Sequence, residues 1–182
     1  GGLVWKSDKN GQHIIATACQ GIVASSWWPC KDHMYDEPDN GMNITVNSPK
    51  EIMDVSNGKL ISNELLADGT RTTSWEVVNP INNYGVNMNI ADYVHWSSVY
   101  MGEKGPLNLD FYVYPQNLEK SKIQFQDAYR VLEALEYWFG PYPFYEDGYK
   151  LVEVPYLGME HQSSVTYGNN YKNGYLGTDL SG

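Results

Sequence analysis

The chain has 182 residues, of which 42% are hydrophobic and 14% aromatic, and a formal net charge of −10. That length suits one large domain or one domain with part of a second, and so aromatic a composition excludes a disordered chain. The acidic balance repels phosphate backbones, so nucleic acid is not an expected partner; no apolar run of about 18 residues is present to span a membrane as a helix.

The first strand signal is HIIATAC at 13–19. It ends on Cys19, which with Cys30 makes up the whole cysteine content. There is no CxxC pair, so the two either form one disulfide or stand as buried or partly buried thiols, and thiols are the expectation. MNITVNS at 42–48 is a strand closed by Pro49. Asn57-Gly58 between 54–56 and 59–61 predicts a hairpin, because Asn-Gly tolerates the positive φ angles of a tight turn. Asp68-Gly69 repeats the signal before 70–78. With 84–94 and 107–114 the run reaches six or seven strands, an antiparallel sandwich or curved sheet.

The period then changes. From Leu118 to Phe139, Phe125, Ala128, Val131, Leu132, Leu135, Trp138 and Phe139 recur at helical spacing, with Arg130 and Glu133 or Glu136 on the other faces. Gly140-Pro141 ends this helix. A boundary is expected near Pro115, dividing an N-terminal β-domain (1–115) from the start of an α+β domain (116–182). After PYPF at 141–144 come a strand at 149–156, the segment LGMEHQSSVTY at 157–167 and a turn-rich tail. The tail is expected to be a domain cut early.

The four histidines are His13, His33, His95 and His161, and no two lie four apart, so there is no HExxH helix. Neither a G-x-S-x-G elbow nor a phosphate-binding loop is present. Glu160 follows a strand closed by Pro155, and Gly158 would let a ligand backbone approach. Glu160 can accept hydrogen bonds from a cation or simply face water. A non-catalytic β-rich module binding carbohydrate or protein also suits the acidic charge and the many Tyr and Trp. A glycosidase pairing Glu160 with Glu153 or Glu136 needs carboxyls about 5–9 Å apart, and a strand sets Glu153 and Glu160 at opposite ends of one segment.

PYPF, YKLVEVP, GMEH and VTY, taken with TACQGIVASSWWPCKD at 17–32 and DEP at 36–38, resemble the M1 family of zinc aminopeptidases. Leu157 and His161 depart from its G-x-M-E-N motif, where a Gly and an Asn would stand, and Lys31 to Tyr35 lengthen the loop before DEP. The resemblance implies an antiparallel saddle-like β-domain followed by the start of a thermolysin-like catalytic domain. It implies that Glu160 takes the ammonium of a substrate's first residue, with Gln20 beside it, and that Gly158 and Met159 hold the substrate backbone as an added strand. His161 then replaces the Asn as a donor or stacks on Tyr167. Trp27 and Trp28 are expected to pack, and Asp36, Glu37 and Cys30 to brace their loop. The implied partners are peptides with a free amino end and the remainder of the catalytic domain. Zinc would belong to a full-length parent, on an HExxH motif beyond Gly182. This chain alone is expected to bind no zinc and to hydrolyse no peptide. The sequence opens with no secretory signal; its Trp-Trp-Pro and LGMEH variants resemble a bacterial envelope or secreted branch.

Overall fold

A computed structural model describes residues 2–8, 10–20, 23–174 and 178. The strands are β1 (Gly2–Ser7), β2 (His13–Ala18), β3 (Met42–Pro49), β4 (Met53–Ser56), β5 (Lys59–Leu65), β6 (Thr70–Val77), β7 (Met88–Ala91), β8 (Val94–Gly102), β9 (Gly105–Val113), β10 (Tyr149–Glu153), β11 (Gly158–Met159) and β12 (Val165–Tyr167), with helices α1 (Leu118–Gln124) and α2 (Asp127–Phe139). They form three sheets, in strand order β1-β2-β7-β4, β3-β6-β5 and β11-β12-β10-β9-β8. The first two are antiparallel throughout, and the third is parallel only where β10 meets β9 and β12. The architecture is therefore mainly β with an α+β C-terminal part, as expected.

Asn57-Gly58 does not close a hairpin. β4 pairs with β7 in one sheet, while β5 pairs with β6 in another. The turn carries the chain between sheets, and its chemistry explains why it holds. The buried Asn57 amide donates to Gly85 O at 2.9 Å and Gln162 O at 2.5 Å, and its oxygen accepts from Asn87 N at 2.7 Å. Gly58, at φ +76, would put a Cβ 1.9 Å from Glu76 O, so only glycine fits. Asp68-Gly69 does close a hairpin, with Asp68 Oδ1 accepting from Thr70 N at 2.9 Å between β5 and β6.

The third sheet draws β8 and β9 from before position 115 and β10 to β12 from after it. A division at 115 would separate β9 from β10, which pair side by side from Tyr149↔Leu109 to Val152↔Tyr112. By hydrogen bonding this sheet starts at Val94.

The helical region is broken rather than continuous. Phe125 and Gln126 form a tighter turn, with Ala128 N donating to Phe125 O at 3.1 Å in three-residue spacing. The break lets Phe125 drop into the core, 5.6 Å from the Phe111 ring and 5.2 Å from that of Tyr167. There it joins Leu107, Leu109 and Val113 of β9 and Ala128 and Leu132 of α2. Val131, Leu135, Trp138 and Phe139 of the expected apolar face are exposed among the described residues. Glu136, expected on an outer face, is instead buried and accepts from Tyr100 Oη at 2.8 Å and Tyr145 Oη at 3.2 Å. Gly140, at φ +84, caps α2 where expected, its N–H donating to Glu136 O.

A smaller core of Val55, Trp75, Tyr112 and Val152 takes residues from all three sheets. Trp27 and Trp28 pack against Val77, Ile81 and Val86, as expected. Both cysteines are free thiols, and burial pushes the Cys30 thiol up.

Candidate functional site

The β1–β2 hairpin is held against the segment that follows β10. Lys6 Nζ donates to Pro155 O at 3.0 Å, and Tyr156 Oη donates to Thr17 O at 2.8 Å. These contacts face the end of β2 toward β11, across a cavity of about 450 Å³ whose walls include Val4, Ala18, Gln20, Tyr156, Gly158 and Met159. Residues nearly 140 positions apart thus share one surface, Gln20 two residues past β2 of the first sheet and Gly158-Met159 from the third.

β11 is an outer strand of its sheet. It pairs with β12 as Gly158↔Tyr167 and Met159↔Thr166. Thr166 Oγ1 accepts from Met159 N at 2.9 Å. Gly158 has φ +135, and a Cβ there would meet Thr166 O at 2.5 Å. The glycine is therefore required by the neighbouring strand, whatever a ligand demands of it.

Glu160 is exposed and is not a wall of this cavity. Its Oε1 accepts from Tyr84 Oη at 3.4 Å. Burial, and then the charge and hydrogen bond of Glu160, push the Tyr84 phenol up. Met159 places Glu160 at the end of β11, one residue past the cavity wall, with its carboxylate open to solvent.

His161 leaves the site altogether. It is 1% exposed, and its Nδ1 lies 3.2 Å from Asn87 Nδ2, which also donates to Ser164 O at 3.0 Å. Burial pulls the imidazole down to about 4, opposed by the charge of Glu160, so the ring is neutral near pH 7. That burial keeps the side chain off the cavity surface, and among the described residues its ring makes no aromatic contact with Tyr167. Tyr167 packs instead on Phe125 and Tyr171.

Sequence reasoning missed Tyr84, Tyr156 and the walls from β1 and β2. Tyr156 directly follows the strand-closing Pro155, a position from which a long polar-tipped ring can reach across a cleft, and that was the available signal. Glu153 also lies elsewhere than a paired-carboxylate reading needs: it is 5% exposed and accepts from Tyr114 N at 2.9 Å and Asn117 Nδ2 at 2.6 Å.

A zinc ion needs about four ligands from His, Cys and carboxylate side chains, or three and a water. Among the described residues no three such side chains come together. His95 is spent on Asp110, at 2.8 Å, and Trp5 donates to His13 at 3.3 Å. These residues do not fit a zinc site.

No protein-family model and no curated protein matches the sequence. Solved structures do match the fold. A crystal structure of an M1 zinc metallopeptidase from Deinococcus radiodurans superposes with TM-score 0.71 and 16% identity over 91% of this chain. A glutamate-to-alanine variant of that enzyme gives 0.73 over 94% of the chain, and the same variant bound to a Tyr-Ser-Ala substrate gives 0.72 over 92%, both at 16% identity. This chain spans 37–39% of the length of those structures. At such low identity the likeness concerns architecture: the chain has the fold of the corresponding part of these M1 zinc metallopeptidases.

Proposed function

We propose that this chain is the amino-end recognition part of a zinc-dependent aminopeptidase. In this reading the first residue of a peptide enters the cavity between Gln20 and Gly158-Met159. Its ammonium is taken by the Glu160 carboxylate and the Gln20 amide oxygen, and its backbone lies along β11. The observation that carries the reading is the single cavity that joins Gln20 to the β11 wall next to Glu160. The fold shared with M1 zinc metallopeptidases supports it.

The physical logic is one of charge placement. An exposed carboxylate at a strand end is hydrated and gains little from a passing cation. Once a peptide fills the adjoining cavity, water is displaced and the charge-assisted bond strengthens. An internal peptide bond offers no such cation, so the site would count residues from the amino end. Met159 and Val4 supply apolar contact for the first side chain. Gln20 would act as a neutral acceptor whose reach is set by the Tyr156–Thr17 clamp. His161 has no part in binding here; with Asn87 it fixes the backbone from which Glu160 projects.

Zinc, and the residues that hold it, belong in this proposal to sequence other than the described residues, and to a full-length parent. The remainder of a catalytic domain as partner and an envelope or secreted setting belong to the same proposal.

The test uses a longer protein that contains this chain. Hydrolysis of a tripeptide with a free amino end should exceed that of its acetylated form by at least about 100-fold, because the acetylated peptide brings no cation to Glu160. Glu160→Gln should lower kcat/KM by about 100-fold and shrink that preference. Equal turnover of both peptides, or a Glu160→Gln enzyme with unchanged preference, would end the proposal.

A further inference from the structure

A second cavity, of about 380 Å³, meets the same chain segment two to three residues earlier. Its walls include Asp8 after β1, Tyr114 and Asn117 after β9, Lys120 of α1, Glu153 at the end of β10 and Tyr171 after β12. None of these residues lines the Gln20 cavity.

Glu153 sets its chemistry. The side chain is 5% exposed, and each oxygen accepts one neutral N–H, from Tyr114 N at 2.9 Å and from Asn117 Nδ2 at 2.6 Å. A carboxylate offers about four lone-pair positions, so with the Tyr171 hydroxyl also acting on it at least one is left to spare. Lys120 lines the same cavity without making an ion pair with Glu153 among the described residues. The anion is held chiefly by N–H and O–H dipoles, with Lys120 acting on it last and least, and a buried anion so held is costly unless a cation joins it directly. Burial accordingly pushes the Glu153 carboxyl up, against the hydrogen bonds that favour its charged form.

A second buried group faces the same space. Tyr114 is 9% exposed, its ring is stacked on that of Tyr93 at 5.7 Å and 9°, and its hydroxyl has no hydrogen-bond partner among the described residues. Tyr114 lines the cavity together with Glu153 and Asp8, and burial, then the charge of Glu153, then Tyr156 and Asp8, push its phenol up. A buried hydroxyl without a partner costs free energy that a ligand can recover.

An anion would meet Asp8 and Glu153 and be repelled. A neutral polyol would satisfy the hydroxyl and leave the buried charge uncompensated. A compact cation with several N–H donors does both jobs. We propose that this cavity binds a small primary-ammonium ligand, whose N–H groups donate to Glu153 and to the Tyr114 phenolic oxygen.

The test is a titration of ¹⁵N-labelled chain with ethanolamine at fixed pH and ionic strength. The Tyr114 backbone N–H and the Asn117 side-chain amide, both bonded to Glu153, serve as reporters. Both should shift saturably. Glu153→Gln should weaken binding at least about 10-fold, and Tyr114→Phe several-fold. Choline, a cation of similar charge with no N–H, should bind at least about 10-fold more weakly. Absent shifts, equal affinity for choline, or a folded Tyr114→Phe chain that binds as tightly as the parent would overturn the assignment. Tyr114→Phe removes only an unpartnered hydroxyl and keeps its ring stacked, so it decides the matter if Glu153→Gln does not fold. Because Glu160 is untouched by these variants, failure here leaves the amino-end site standing, and the converse holds.

Discussion

The seam between the sheets and the open edge at β11 both carry polar side chains, but those side chains have different partners. In the seam, Asp147 and Lys150 are paired within the protein itself. Asp147, 1% exposed, accepts from Val78 N at 2.8 Å, Asn79 N at 3.2 Å and Asn79 Nδ2 at 2.9 Å. Lys150, 2% exposed, donates to Gly58 O and lies 5.1 Å over the Trp75 ring. Burial pulls its amine down to about 7, opposed by Asp110, Asp147 and Asp54. At the edge, Gln20 and Glu160 are exposed, and Glu160 keeps only a long contact to Tyr84. Polar groups in the seam fix how the sheets meet; those at the edge are free for a ligand.

Substitutions separate the two roles. Asp147→Ala removes the acceptor of three partly buried N–H groups in the seam and should cost about 3 kcal/mol of stability, read as a lower denaturant midpoint with an unchanged slope. A pH scan should show the next effect. His161 has its pKa depressed from 6.5 to about 4 in the folded chain. Below the unfolded value the unfolded chain binds the proton more readily. Stability is therefore full above about pH 6.5 and declines as the pH falls through about 4, by about 3 kcal/mol in all. His161→Gln, which cannot titrate, should flatten that part of the curve. Gly158→Ala strains φ and presses on Thr166 O, and should cost about 1–2 kcal/mol. Glu160→Gln should change stability by less than about 0.5 kcal/mol, since its side chain is exposed. A large loss of stability in Glu160→Gln would move that residue into the seam.

How far the sequence could be read follows the same division. Local signals carried well: the Asp68-Gly69 hairpin, the Gly140 cap and the strands at 13–18, 42–49 and 70–77 were all visible as turn chemistry or as β-rich runs. Signals that depend on distant partners did not carry. Asn57-Gly58 has the same local chemistry whether its flanking strands pair with each other or part, and the partners that part them lie at 85–87 and 162–163. Glu136 reads as a surface charge until Tyr100 and Tyr145 close over it. The helix break at Phe125 has neither Gly nor Pro to announce it; burial of that ring drives it. In the site, the alignment of Gln20 with Gly158 and Met159 came from a resemblance of motifs. The burial of His161 was hidden because its partner, Asn87, is 74 residues away.

The central claim is that a peptide's first residue lies between Gln20 and Met159 with its ammonium at Glu160. The direct measurement is an isotope-edited NOE experiment on the labelled chain with a bound tripeptide. The account predicts cross-peaks from the peptide's first residue to both the Met159 methyl and the Gln20 side-chain amide, lost on acetylation of the peptide. A bound tripeptide whose first residue contacts neither side chain, or which binds equally well when acetylated, would contradict it.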